Sequence, residues 1–64
     1  MIYYAKDRHN STIYMGDYVK IPNGLIGRVA YIRWGGRKGK ILGVETEEGT
    51  FEVPSRECEF WAGY

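Results

Sequence analysis

The chain has 64 residues and a formal net charge of +1, which allows one domain and no second core. Cys58 and His9 are its only cysteine and histidine, so neither an intrachain disulfide nor a four-ligand zinc site can form. No run of about 18 apolar residues occurs, which argues against a membrane-spanning helix. A free thiol fits a reducing compartment, so we expect one cytoplasmic domain over residues 1–64, without metal or cofactor.

Charge is unevenly distributed along the chain. Residues 1–44 carry eight Lys or Arg and two Asp, whereas residues 45–64 carry one Arg and six Glu. Such asymmetry indicates either a nucleic-acid-binding face or ion pairs across neighbouring strands. The sequence leaves both interpretations open.

Nine glycines divide the chain into short pieces rich in Val, Ile, Tyr, Phe and Trp, which predicts several strands joined by tight turns. Residues 2–5 are predicted as a first strand and residues 6–10 as a polar loop. A second strand follows over residues 16–21, where Val19 and Ile21 share one face.

The longest predicted strand covers residues 25–34. Val29 and Ile32 both have core character, but their three-residue spacing breaks strict alternation. A β-bulge near Ala30 would reconcile them. Gly27 is expected where a neighbouring strand packs too closely for a side chain.

The second half of the chain predicts a loop, a hairpin and a final strand. In chain order these are a loop over residues 35–39, a strand over 40–46, a hairpin turn over 47–49, a return strand over 50–53, a 3₁₀ turn over 55–57 and a strand over 58–61. Ten side chains are expected to fill the core: Val19, Ile21, Val29, Ile32, Leu42, Val44, Phe51, Val53, Cys58 and Phe60.

Two runs of residues in these predicted elements resemble known families of small β-barrels. The run Gly16-Asp17-Tyr18-Val19-Lys20-Ile21, followed by Gly27-Arg28-Val29, resembles the start of KOW and Tudor-type barrels. The later run from Glu47 to Ser55 is similar to the distal hairpin and Pro-Ser corner of SH3-like domains. Together they cover residues 16–61 and imply an all-β fold, a small five-stranded SH3-like or KOW-like barrel with a 3₁₀ turn before the last strand.

The departures from these families bear on function. Peptide-binding SH3 domains have a Trp pair, and they have a Tyr shortly after Pro-Ser. This chain has no Trp pair, and Glu57 stands where that Tyr would be expected. The type II dihydrofolate reductases share the layout and use a Gln-Ile-Tyr run before a proline. Here that run is Phe51-Glu52-Val53, so we expect no enzymatic activity.

The segment over residues 33–40 holds four cations, one Trp and three glycines, a composition that suits phosphate contacts and base stacking. The alternative is a solvated loop whose cations pair with nearby glutamates. Aromatic residues also outnumber the places in so small a core, and exposed Tyr and Trp suit a protein interface. The candidate binding residues are Arg28, Tyr31, Arg33, Trp34, Arg37, Lys38, Lys40 and Trp61.

Two functions follow from this surface. The first is a non-catalytic module, such as a small phage- or plasmid-encoded inhibitor, that docks onto a larger protein partner. The alternative is a KOW-like module that binds RNA or DNA. The small net charge favours protein docking slightly. The exposed aromatics also predict a homodimer at high concentration, which Trp61→Ser should weaken if the C-terminal strand forms the contact.

Overall fold

Seven short strands and two 3₁₀ turns make up the computed structural model of the protein, which describes residues 2–63. The strands are β1 (Tyr4–Lys6), β2 (Thr12–Tyr14), β3 (Tyr18–Lys20), β4 (Ile26–Trp34), β5 (Lys40–Thr46), β6 (Gly49–Pro54) and β7 (Glu59–Phe60). The 3₁₀ turns are Gly36–Lys38 and Ser55–Glu57. No α-helix occurs in the described residues. The predicted all-β class is confirmed, and a 3₁₀ turn precedes the last strand as expected.

The strands form two antiparallel sheets. β1 and β2 pair as a two-stranded ribbon, and the other five strands form one sheet in the order β6-β5-β4-β3-β7. Strand pairing within residues 2–63 leaves this sheet open, so a closed barrel is not formed by hydrogen bonds between strands. The sequence prediction lacks β2, because that strand holds one aliphatic residue, Ile13, between polar neighbours.

The longest strand, β4, contains the predicted β-bulge. Its register against β5 shifts between Val29 and Tyr31, so Ala30 is the extra residue. Val29 and Ile32 are consequently both buried, as predicted.

Gly27 lies where two strands approach closely. A Cβ atom at this position would collide with the backbone oxygen of Glu45 on β5. Only glycine therefore lets β4 and β5 meet at this point, which confirms the expectation for Gly27.

The core is made by both sheets. Its buried hydrophobic residues are Ala5, Ile13, Val19, Ile21, Val29, Ile32, Leu42, Val44 and Cys58. Predicted core residues Phe51 and Val53 are half-buried and pack against this cluster.

The prediction for Phe60 is wrong. Its side chain is 38% exposed, because β7 is a two-residue strand at the edge of the sheet. Ala5 and Ile13 are in the core instead: β1 overlaps the predicted first strand over residues 2–5, and β2 lies in residues 11–15, for which the sequence predicted no element.

Asp7 fastens the ribbon to the last strand. Its buried carboxylate accepts the backbone N–H groups of His9 and Ser11 on Oδ1, at 2.8 and 2.7 Å, and that of Phe60 on Oδ2, at 2.8 Å. Burial acts to raise the pKa of this carboxyl, but the three N–H donors outweigh it and the pKa lies below its usual range. The predicted polar loop is therefore an ordered part of the structure.

Candidate binding surfaces

The outward face of β4 carries three of the predicted binding residues, Arg28, Tyr31 and Arg33. In register on β5 they lie opposite Glu45, Gly43 and Ile41, respectively. On β5, the residues opposite these basic side chains are therefore acidic or apolar rather than cationic.

Tyr31 and Arg33 are both bound to Glu52 of β6. The Tyr31 ring lies over Gly43, where a Cβ atom would collide with it, and its hydroxyl donates to Glu52 Oε2 at 2.5 Å. Arg33 donates from Nε to Oε2 at 3.0 Å and from Nη2 to Oε1 at 2.8 Å. This bidentate pair joins β4 to β6 across the intervening β5, so one cation from the first half of the chain is paired with a glutamate from the second half.

The electrostatics of this cluster follow from the same contacts. The Arg33 guanidinium, helped by the Tyr31 hydroxyl, lowers the pKa of Glu52 to about 2. In return the hydrogen bond to Glu52 raises the pKa values of both Arg33 and Tyr31. Tyr31 and Arg33 therefore serve a pairing within the protein, and an anionic ligand would have to compete with Glu52.

The segment after β4 is an ordered turn rather than a flexible loop. Gly35 N–H donates to the Gly39 carbonyl at 2.6 Å, and Gly39 N–H donates to the Gly36 carbonyl at 3.0 Å. Trp34, opposite Lys40 in the strand register, is 64% exposed. Arg37 is also exposed.

Lys38 and Lys40 line a cleft whose other basic residues come from distant parts of the chain. Lys6 of β1 and Arg56 of the second 3₁₀ turn complete a set of four cations around about 280 Å³. Tyr4, Gly39 and Ser55 form the remaining lining, so no carboxylate contributes to it. We call this the basic cleft.

Neutral groups hold three of these cations in place. Lys6 Nζ donates to Thr12 Oγ1 at 2.6 Å, and Arg56 Nη1 donates to Asn10 Oδ1 at 3.2 Å. Lys40 Nζ donates to the Tyr4 carbonyl at 2.8 Å, and it lies 3.8 Å from the centroid of the Tyr4 ring. In the described part of the chain none of the four forms an ion pair, so their charge is available to a ligand.

The sequence prediction missed Lys6, Arg56 and Tyr4. They lie far along the chain from residues 33–40, and only the packing of β1 and the second 3₁₀ turn beside β5 brings them together. The one signal in the sequence was the excess of cations in its first half.

The outward face of the ribbon forms a second exposed surface. Tyr4 and Tyr14 are directly opposite each other in the register, while their neighbours Ala5 and Ile13 are buried. Tyr14 and Tyr3 are 56% and 63% exposed. We use the name ribbon surface for Tyr4 and Tyr14 of this face together with Tyr3 and Met15, the exposed residues that adjoin them in the chain.

Trp61 lies apart from the other predicted binding residues. Its backbone N–H donates to the Tyr18 carbonyl at 2.9 Å, and the centroid of its ring lies 5.8 Å from Lys20 Nζ. Both contacts are with β3, which separates the β7 side of the sheet from β4 and β5. The structure therefore does not gather the predicted site residues into one surface.

Cys58 and His9 differ in exposure. Burial, with smaller contributions from Glu57 and Asp7, raises the pKa of the Cys58 thiol to about 12, so it is protonated at neutral pH. His9 is exposed, with Nε2 3.9 Å from Glu59 Oε1. Residues 2–63 contain no group of three or more His, Cys, Asp or Glu side chains that could hold a metal ion.

Two further findings bear on classification. Within residues 2–63 we find no helix with the length and apolar character that crossing a bilayer requires. Comparison with protein families, with curated proteins and with solved structures yields no match to this chain.

Proposed function

We propose that the chain is a small SH3-like or KOW-like barrel and a non-catalytic module that docks onto a larger protein. The fold part is supported by the order of elements: the glycine turn before β3, the bulged β4, the β5–β6 hairpin and the 3₁₀ turn before β7. The proposal includes a reducing, cytoplasmic location, supported by the free thiol of Cys58.

The ribbon surface is the observation that carries the docking proposal. Tyrosines offer a large contact area with few rotatable bonds, so they bind partners at a low entropic cost. Tyr3 and Tyr14 leave most of that area in water, and the ribbon that carries Tyr14 packs into the core through Ala5 and Ile13. A rigid base under exposed rings is the arrangement that protein interfaces favour.

The experiment is affinity capture from a nuclease-treated lysate of the source cells. We expect a protein partner that the wild type retains and that Tyr3→Ser/Tyr14→Ser loses. Phe60→Ser is the matched control, because it removes another exposed ring, on the edge strand β7 and outside the ribbon surface, and should leave capture unchanged. Circular dichroism checks that each variant is folded.

Two results would contradict docking through this surface. One is equal capture of the same partner by wild type and the double tyrosine variant. The other is the absence of any protein retained by the wild type after nuclease treatment. In the second case protein docking as a whole fails.

Nucleic-acid binding is the second candidate, and the basic cleft favours it. Four cations without a carboxylate among them suit a phosphate backbone, and the exposed Trp34 indole lies opposite Lys40 in the register. The paired Arg33 and the outward Arg28 contribute less than the sequence indicated. This candidate is tested by the salt dependence of oligonucleotide binding.

A further inference from the structure

We propose that copies of this chain associate head to tail, with the acidic tip of the β5–β6 hairpin of one copy seated in the basic cleft of the next. The tip consists of Glu47 and Glu48, which form the turn between the two strands. This inference goes beyond docking to a larger protein, and the basic cleft that it uses shares only Tyr4 with the ribbon surface.

The basic cleft has the properties of a carboxylate-binding site. Its cations come from β1, β5 and both 3₁₀ turns, so the fold holds them around one space. Lys6 and Lys40 each donate to one neutral oxygen of the protein, and a lysine ammonium has three N–H donors. Donors therefore remain for the oxygens of a ligand.

The hairpin tip has the complementary properties. Glu47 and Glu48 are adjacent and exposed, and within residues 2–63 neither forms an ion pair. Thr46 Oγ1 accepts the Glu48 N–H at 3.1 Å and donates to the Gly49 carbonyl at 2.8 Å. The turn is thus held in one shape, so little order is lost when it enters a cleft.

One copy cannot make this contact with itself. Lys40 and Thr46 are the first and last residues of β5, and a strand of that length spans roughly 20 Å. The cleft and the tip therefore lie at opposite ends of the strand, too far apart to touch. Because they are two different patches, the contact is heterologous and extends into rings or chains.

Charge complementarity favours a second copy as the occupant. Any solution of this protein holds the acidic tip and the basic cleft at equal concentration, and opposite charges orient the encounter. Exposed ion pairs are weak singly and are screened by salt. Association is therefore expected at high protein concentration and low ionic strength.

The first test is sedimentation velocity of the full chain. At about 1 mM protein we expect a sedimentation coefficient that rises with concentration in about 20 mM salt and returns to the monomer value in about 500 mM salt. A monomer under both conditions overturns the inference. Association that survives the high salt also overturns it, because that result points to an aromatic contact.

Charge-neutralising variants locate the two patches. Glu47→Gln/Glu48→Gln removes the negative charge of the tip, and Lys38→Gln/Arg56→Gln removes two of the four positive charges of the cleft. Each variant alone should be monomeric. An equimolar mixture should form a capped heterodimer, because one variant keeps the cleft and the other keeps the tip. A mixture that stays monomeric while the wild type associates overturns the proposed pairing.

Two controls separate this contact from other causes. Glu57→Gln removes a negative charge outside the tip, and Trp61→Ser removes the ring that the sequence placed in a dimer contact. Both should associate like the wild type. Loss of association in either control overturns the inference. A wild type that stays monomeric while its cleft binds the oligonucleotide dT15 or a glutamate decamer also overturns it.

Discussion

The backbone N–H of Phe60 donates to Oδ2 of Asp7 at 2.8 Å, which joins the last strand to a loop 53 residues earlier. The same carboxylate closes its own loop through His9 and Ser11. One buried side chain therefore holds the ribbon and β7 together, in a domain that has no disulfide.

We expect Asp7→Ala to reduce the free energy of unfolding by about 3 kcal/mol, because it removes charge-assisted hydrogen bonds and leaves buried N–H donors without an acceptor. Urea unfolding followed by tryptophan fluorescence measures the loss. Asp17→Ala is the control, since the Asp17 carboxylate accepts a single exposed N–H, that of Tyr14, and should cost about 1 kcal/mol. Equal losses in the two variants would show that Asp7 has no special role.

The pH dependence of stability gives a second prediction for Asp7. Its pKa is lower in the folded state than in the unfolded chain, so its contribution to stability is complete above the unfolded value of about 3.9. The contribution is lost as the pH falls through the lower, folded pKa. The stability difference between wild type and Asp7→Asn should therefore shrink below about pH 4. A difference that stays constant between pH 6 and pH 2 would contradict this assignment.

Val29→Ala should cost about 1–3 kcal/mol, because it opens a cavity in a core where Val29 is 1% exposed. Ala30→Ser, at the exposed extra residue of the bulge, is the matched control and should leave the melting temperature nearly unchanged. Thermal melts followed by circular dichroism measure both. An unchanged melt for Val29→Ala would remove Val29 from the core.

The sequence predicts β3 to β6 because each repeats a simple pattern. Alternation places Val19 in the core, and the broken spacing of Val29 and Ile32 predicts the bulge. β2 is not predicted, because a strand of three residues centred on Ile13 is too short to show an alternating pattern. The exposure of Phe60 depends on β7 lying at an edge, which is a property of the sheet and not of the local sequence.

The Glu52 carboxyl should titrate with a midpoint of about 2, below the ordinary range for a glutamate, because Arg33 and Tyr31 both donate to its ionised form. Carboxyl ¹³C shifts across a pH titration measure this directly. Arg33→Ala should raise the midpoint strongly and Tyr31→Phe should raise it less, following the order of the two contributions. An ordinary midpoint in the wild type would mean that the cluster is open in solution.

The candidate site could be predicted only in part, and the reason is geometric. Residues 33–40 are close in the chain, but strand alternation turns Arg33 onto the outer face toward Glu52, while Lys38 and Lys40 line the basic cleft. Lys6 and Arg56 join them through tertiary packing, which no local pattern encodes. Cation counts therefore indicated a basic surface without locating it.

The last prediction concerns nucleic-acid binding by the basic cleft. Each cation that neutralises a phosphate of a single strand releases counterions and contributes a slope of about −0.7 to log K against log salt. Four contacts, from Lys6, Lys38, Lys40 and Arg56, predict a slope of about −3 for dT15 or rU15. Fluorescence anisotropy measures it in a protein titration from about 1 to 300 μM, below the roughly 1 mM at which self-association is tested.

Variants show which side chains contribute to the salt dependence of binding. Lys38→Ala/Arg56→Ala should reduce its magnitude by about 1.4, whereas Lys20→Ala/Arg28→Ala, which removes two cations outside the cleft lining, should leave it unchanged. Trp34→Ala should cost about 1–3 kcal/mol of binding with little change in slope, because stacking is not ionic. If neither oligonucleotide binds more tightly than about 100 μM at physiological salt, the cleft has no nucleic-acid ligand. Charge reversal at Lys38 and Arg56 that slows association with the captured protein partner would then identify the cleft as an electrostatic guide for docking.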